Sequence, residues 1–170
     1  VPAGWTLVDS NRNFAYKIGV VQADGGYYNQ AIQILDLRTR ESRIIDKRRD
    51  ARAGVYPEPF IVKVSPDGDS VVYQVGEVYG GQKWLEVFSM SQNRVLATVY
   101  IERATIDRIT FINNEARVHT TPSILDSNPS GVYTINLSDG SSHFTADFPE
   151  GWGWTRATSN PNFAFRRDWK

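Results

Sequence analysis

The sequence predicts an all-β chain of β-propeller-type repeats: three four-stranded antiparallel blades followed by part of a fourth. Three observations predict it. Segments Ile32-Gln-Ile-Leu-Asp-Leu37, Leu85-Glu-Val-Phe-Ser-Met90 and Val132-Tyr-Thr-Ile-Asn-Leu137 align, 53 and then 47 residues apart. A period of about 40–50 residues is that of stacked supersecondary units, with propeller blades the leading case. Each copy is followed by a polar turn and a further β-prone run, and no long segment carries the 3.6-residue apolar period of a helix. A twisted β-sandwich with coincidental repeats is the alternative.

In each unit the strands are named a to d in chain order. Unit one has a at 5–8, a turn at 9–13 rich in Asp, Asn and Ser, b at 14–22, a loop at 23–29, c at 30–37, a turn at 39–42 and d at 43–46. Unit two has a at 60–64, then Ser65-Pro66-Asp67-Gly68, where proline presets its own φ and glycine supplies a positive one. Its b strand is 70–78, the b–c loop 79–83, c 84–90, the turn 91–93 and d 94–100. Unit three has a at 106–112, the turn Asn113-Asn114, b at 116–121, a longer loop at 122–130, c at 131–137, a turn at 138–141 and d at 142–146. Pro149-Glu-Gly-Trp152 echoes Pro2-Ala-Gly-Trp5, and Asn162-Phe-Ala-Phe165 echoes Asn13-Phe-Ala-Tyr16, so a fourth unit starts and lacks c and d.

The chain thus reads as one all-β repeat domain over 1–170, with blades at about 5–47, 60–100 and 106–147 and a partial blade at 152–170. A blade buries its faces only against other blades. The chain is therefore expected to be a piece of a longer propeller, to self-associate, or to be completed by another segment. Both faces of the c strands are apolar, so Ile34, Leu35, Val87, Phe88 and Ile135 are expected in the core.

Composition narrows the function. Lys plus Arg and Asp plus Glu number 19 each, which argues against a nucleic-acid partner. There is no cysteine, hence no disulfide framework or thiolate zinc site. No apolar run approaches the roughly 20 residues of a membrane span.

At Ser65-Pro66-Asp67-Gly68, with Val71-Val-Tyr73 after it and Leu85-Glu-Val-Phe88 beyond, the sequence resembles the bacterial WD-like repeat. That repeat occurs in the periplasmic propeller of the Tol system and in propellers of the prolyl oligopeptidase family. Unit two carries the motif well; Asp9-Ser-Asn-Arg-Asn13 and Asn113-Asn-Glu115 stand in its place in units one and three. The resemblance implies a propeller, an extracytoplasmic location (periplasmic, cell-surface or secreted) and a binding surface. It carries over no catalytic residue.

A search for chemistry finds no catalytic constellation. No Gly-x-Ser-x-Gly elbow and no phosphate-cradling glycine loop is present. His119 and His143 lie on strands without metal-ligand spacing, so no metal and no cofactor is expected. Asp24, Glu58, Glu77 and Glu150 supply carboxylates, but nothing pairs them as a glycosidase requires. Asn136-Leu-Ser138 matches a glycosylation sequon at a strand end.

Two residue sets suit binding. Lys47-Arg48-Arg49, with Arg52, forms a basic cluster that reads as a solvated loop or as a docking patch for an acidic partner or anionic glycan. Tyr27, Tyr28 and Tyr79 sit beside glycine pairs, and Trp152 and Trp154 lie in the partial blade; aromatic planes stack on sugars or anchor proteins, and they also pack between blades. In a meander the a–b and c–d turns fall at one end, and the longer b–c and d–a loops at the other. The expectation is a non-enzymatic binding or scaffold domain for a protein partner, using Tyr27, Tyr28, Tyr79, Arg48, Arg49, Trp152 and Trp154 on the long-loop face. The alternatives are a carbohydrate-binding surface, or the propeller portion of a hydrolase whose catalytic residues lie outside this chain.

Overall fold

The computed structural model describes residues 1–24, 27–48, 60–76, 83–101, 104–122, 130–146, 154–157 and 160–166. Among them it is all-β, with fourteen strands and no helix, the strand number the repeats require. Twelve strands form three four-stranded antiparallel sheets, each paired in chain order. The first sheet holds β1 (Thr6–Leu7), β2 (Phe14–Asp24), β3 (Tyr27–Asp36) and β4 (Ser42–Arg48). The second holds β5 (Val62–Val64), β6 (Ser70–Gly76), β7 (Lys83–Ser89) and β8 (Arg94–Ile101). The third holds β9 (Ala104–Ile112), β10 (Glu115–Pro122), β11 (Gly131–Asn136) and β12 (Ser142–Ala146). A two-stranded sheet, β13 (Trp154–Ala157) with β14 (Asn160–Arg166), stands where the repeat places the a and b strands of a fourth unit. These are blade-type sheets of a β-propeller fold class.

The chain divides into two compact units. One comprises Val1–Glu102 with Leu137–Gly140, the other Arg103–Asn136 with Ser141–Lys170. In the first unit, Phe14, Ile32, Ile34 and Ile45 of the first sheet share a core with Val62, Val64, Val71, Tyr73, Val75 and Phe88 of the second. Every residue of β6 is buried, as expected for a central strand covered on both faces. Tyr73, Ile32, Ile34 and Leu85 are among the largest fully buried side chains. Burying each stabilises the fold by roughly 1.5–3 kcal/mol. The c-strand residues expected in the core are there: Ile34, Leu35, Val87, Phe88 and Ile135 are all buried. In the second unit the third sheet buries Ile109, Ala116, Val118 and Ile135.

The repeat is also written in the backbone of the turns. Arg40, Asn93 and Gly140 occupy the same c–d turn position and all have positive φ, at 63°, 53° and 77°. Their spacing matches that of the c strands. Asn113 and Asn114 both have positive φ and join β9 to β10, with Ile112 opposite Glu115, as a two-residue hairpin turn requires. Gly68, at φ 85°, does two things: it completes the Ser65–Gly68 turn, and it leaves room for Phe14 of the first sheet. A Cβ at Gly68 would lie 2.8 Å from the Phe14 ring.

One boundary differs in a way that matters for function. The glycine pair predicts a loop over 23–29, but β2 and β3 stay paired to Asp24↔Tyr27, so Tyr27, Tyr28 and Asn29 belong to a strand. Tyrosine favours a pleated strand, and the hairpin register carries the pairing through. Likewise β4 runs to Arg48, placing Lys47 and Arg48 in a strand rather than in the following connection.

Candidate functional site

In the first two sheets, polar side chains at one end serve the fold itself. At the a–b and c–d turn end, side chains close the turns. Ser65 Oγ donates to Asp67 Oδ1 at 2.5 Å and accepts from the Ser70 amide at 2.9 Å, while the Asp69 amide donates to Asp67 Oδ1 at 3.0 Å. The Ser65 hydroxyl, and then the Asp69 amide, hold the Asp67 carboxyl below the usual carboxylate range against the opposing effect of its burial. The Asp69 carboxylate crosses to the next turn, accepting from the Ser91 amide at 2.7 Å and from Ser89 Oγ at 3.0 Å. In the first sheet Asp36 takes the Arg38 guanidinium at 2.7 Å, which lowers the Asp36 pKa and raises that of Arg38. Arg38 also lies over the Phe14 ring, 5.5 Å from its centre.

The same end ties sheet to sheet. Asn11 Nδ2 donates to the carbonyls of Ser65 and Pro66 at 2.8 and 3.3 Å. Ser10 Oγ donates to the Val64 carbonyl at 3.0 Å and accepts from the Val64 amide at 2.8 Å. Lys63 bridges to Asp9 at 2.5 Å, and that bond, with the lysine charge, lowers the Asp9 pKa. Arg43 donates to the Met90 carbonyl. Sequence reasoning missed this staple: Asp9-Ser-Asn11 has the composition of any turn, and nothing local names a partner 54 residues away.

Sequence reasoning also missed Glu86. It lies on β7 between the inward positions of Trp84 and Phe88 and is 8% exposed. Its carboxylate accepts the buried Tyr73 hydroxyl at 2.6 Å and the Trp84 indole N–H at 3.2 Å. The sequence signal was present: an acid at an inward position of an otherwise apolar strand is retained only with hydrogen-bonding partners.

At the opposite end the strands lead into the b–c and d–a connections. Here the structure brings together part of the expected set. Tyr27 and Tyr28 pair with Asp24 and Ala23 at the tip of the β2–β3 hairpin, and Arg48 pairs with Gln30, two residues from Tyr28. Their backbones therefore share one corner of the first sheet. Trp154 is the first residue of β13, opposite Arg166. Tyr79, Arg49 and Trp152 lie outside the described residues. On the second sheet, Trp84 and Tyr100 hold their rings 6.2 Å apart near this end, and Tyr100 is 65% exposed. Among the described residues, no group of three or more His, Asp and Glu could hold a metal ion, and no helix is long and apolar enough to cross a membrane.

Among solved structures, the chain is similar to the hydrazine synthase of Kuenenia stuttgartiensis, with a TM-score of 0.48 and 17% identity over 85% of this chain and 42% of that one. It is similar to an oligogalacturonate lyase in complex with manganese (0.37, 14%, 95% and 58%) and to the oligogalacturonate lyase of Vibrio parahaemolyticus (0.35, 10%, 89% and 57%). These are β-propeller-type proteins, and this chain spans about half the length of each. No protein-family model and no curated protein matches the sequence. At such low identity the likeness does not bear on activity, and the blade assignment rests on the sheets of this chain.

Proposed function

We propose that the chain is a binding or scaffold module built of propeller blades, engaging a protein partner through the end where the b–c and d–a connections emerge. One observation carries this reading: at the turn end Ser65, Asp67, Asp69, Asn11 and Ser10 are spent on closing turns and joining sheets. A ligand there would have to displace bonds that hold the fold. In each sheet the b–c and d–a connections leave from the opposite end, as the connection 49–61 does after β4, and connections on a rigid scaffold are where binding residues concentrate. Tyr27, Tyr28 and Arg48 share one corner of it, and Tyr and Arg are the residue types enriched at interface hot spots. On the Ser-Pro-Asp-Gly resemblance, we place the module outside the cytoplasm; cell fractionation of the tagged full-length product tests that.

The experiment screens the chain against displayed peptides and a glycan array, then measures Tyr27→Ala, Tyr28→Ala, Tyr79→Ala, Arg48→Ala and Arg49→Ala against whichever ligand binds. These changes weaken binding with the melting temperature retained, whereas Arg40→Ala and Asp139→Ala at the turn end do not. A ligand sensitive to the turn-end changes and indifferent to the others overturns the assignment. Binding confined to glycans replaces the protein partner with a sugar.

A further inference from the structure

The fourth strand of each complete sheet ends that sheet, and its outer backbone edge pairs with no strand among the described residues. An unpaired edge is a template for another strand unless the chain blunts it. β4 is blunted by charge, with Arg43, Asp46, Lys47 and Arg48 in seven residues. β12 is short, at five residues. β8 is eight residues long and, after Arg94, holds no charge, proline or glycine through Ile101. A bulge at Leu96 interrupts its pairing with β7, but from Ala97 to Ile101 the register is regular. Thr98 is exposed and Tyr100 is 65% exposed.

We propose that the edge Ala97–Ile101 is a dimerisation surface, pairing antiparallel with the same stretch of a second copy about a two-fold axis at Val99. The edge is self-complementary in that register. Ala97 lies opposite Ile101, and Thr98 opposite Tyr100, so each pair shares a face of the joined sheet. Arg94 falls outside the paired stretch, so no like charges are opposed, and the bulge at Leu96 sets the limit of pairing. The second copy's threonine covers Tyr100, whose ring already rests against Trp84. Thr–Tyr neighbours across strands are favourable, and a two-fold pairing closes on itself rather than growing into a fibre.

Sedimentation equilibrium over a concentration series, with amide exchange by mass spectrometry, tests this. The wild-type chain forms dimers, and amides of residues 97–101 gain protection as concentration rises. Thr98→Lys with Tyr100→Lys puts charge on two exposed positions; it weakens dimerisation about tenfold or more, while the dilute monomer stays folded with a melting temperature lowered only by the loss of the Tyr100–Trp84 ring contact. A chain that stays monomeric at high concentration overturns the proposal. So does a dimer whose affinity is untouched by the lysines, the result expected of association through another edge such as β14.

Discussion

Replacing Asn11 isolates the joint between the first two sheets. The side chain is 9% exposed, donates to the Ser65 and Pro66 carbonyls, and accepts from the Asn13 amide at 3.2 Å. In Asn11→Ala all three bonds are lost. The Ser65 carbonyl is not orphaned, because it keeps the Gly68 amide at 2.9 Å. The loss is therefore that of the bonds and not of a stranded buried group. With about 1 kcal/mol for each good bond and little for the long one to Pro66, the change costs about 2 kcal/mol. Asn11→Asp has nearly the same shape but places a carboxylate 2.8 Å from one carbonyl oxygen and 3.3 Å from another, with no proton to donate. At neutral pH it costs more than alanine, about 3–4 kcal/mol, since a buried charge then faces two acceptors. The gap between the two variants narrows as pH falls, because the introduced carboxyl, once protonated, can donate where the amide did.

Urea unfolding of the wild type and both variants, followed by tryptophan fluorescence at pH 7 and again near pH 4, measures the differences. The order wild type, alanine, aspartate at pH 7 is the expected outcome. An alanine variant within about 0.5 kcal/mol of wild type would show that the staple contributes nothing net. An aspartate variant as stable as alanine at pH 7 would show that the Asn11 amide does not face the carbonyls.

Phe88→Ala removes a buried ring from the core shared by the first two sheets and should cost roughly 3–5 kcal/mol by the same unfolding assay. At the shared c–d turn position, Arg40→Gly relieves a left-handed conformation unfavourable to a side chain and should stabilise by about 0.5–1 kcal/mol. Gly140→Ala at the equivalent position should destabilise by more than that: a Cβ there would lie 2.2 Å from the Leu96 carbonyl oxygen. Asp9, Asp36 and Asp67 all have folded-state pKa values below their ordinary one, so the stability they contribute is present above about pH 4 and is lost as pH falls through the lowered values. An acid titration by circular dichroism should accordingly show Asp67→Asn less sensitive than wild type below pH 4.

The strands were legible because burial on a sheet leaves a local mark. Ile34 and Leu35, or Val87 and Phe88, are adjacent residues on opposite faces, and only a sheet covered on both sides buries both. The Ser65–Gly68 turn was legible because its φ values demand particular residues. Hairpin length was not: Tyr27 and Tyr28 look like loop residues beside Gly25 and Gly26 until the register from Phe14↔Asp36 to Asp24↔Tyr27 is known. That error reaches the candidate site, since the exposure expected of Tyr27 and Tyr28 rests on a place in a loop. The inter-sheet staple and the Glu86 cluster were illegible because their partners lie in other strands, and no periodicity names a partner.

The shared turn position explains why the repeat is easier to read in strands than in turns. Arg40, Asn93 and Gly140 keep one backbone conformation with three different residues. Arg40 is a tolerated strain and Asn93 a residue suited to a left-handed turn, while Gly140 is required by the Leu96 carbonyl beside it. What repeats is the path of the chain, and each sheet satisfies it by its own means. The a–b turns behave alike: Ser65 and Asp67 close one with side-chain bonds, and Asn113-Asn114 turns another through two left-handed residues. Turn residues such as Asn11, Ser65 and Asp67 cannot change freely, because each also fixes a turn or a neighbouring sheet. Among the described residues, no comparable side-chain bond ties Tyr100 in place: the tyrosine lies on an outer strand, its ring against Trp84 and most of its surface in solvent. New recognition can therefore arise at residues of that kind without undoing the stack, which is the physical ground for looking for partners away from the turns.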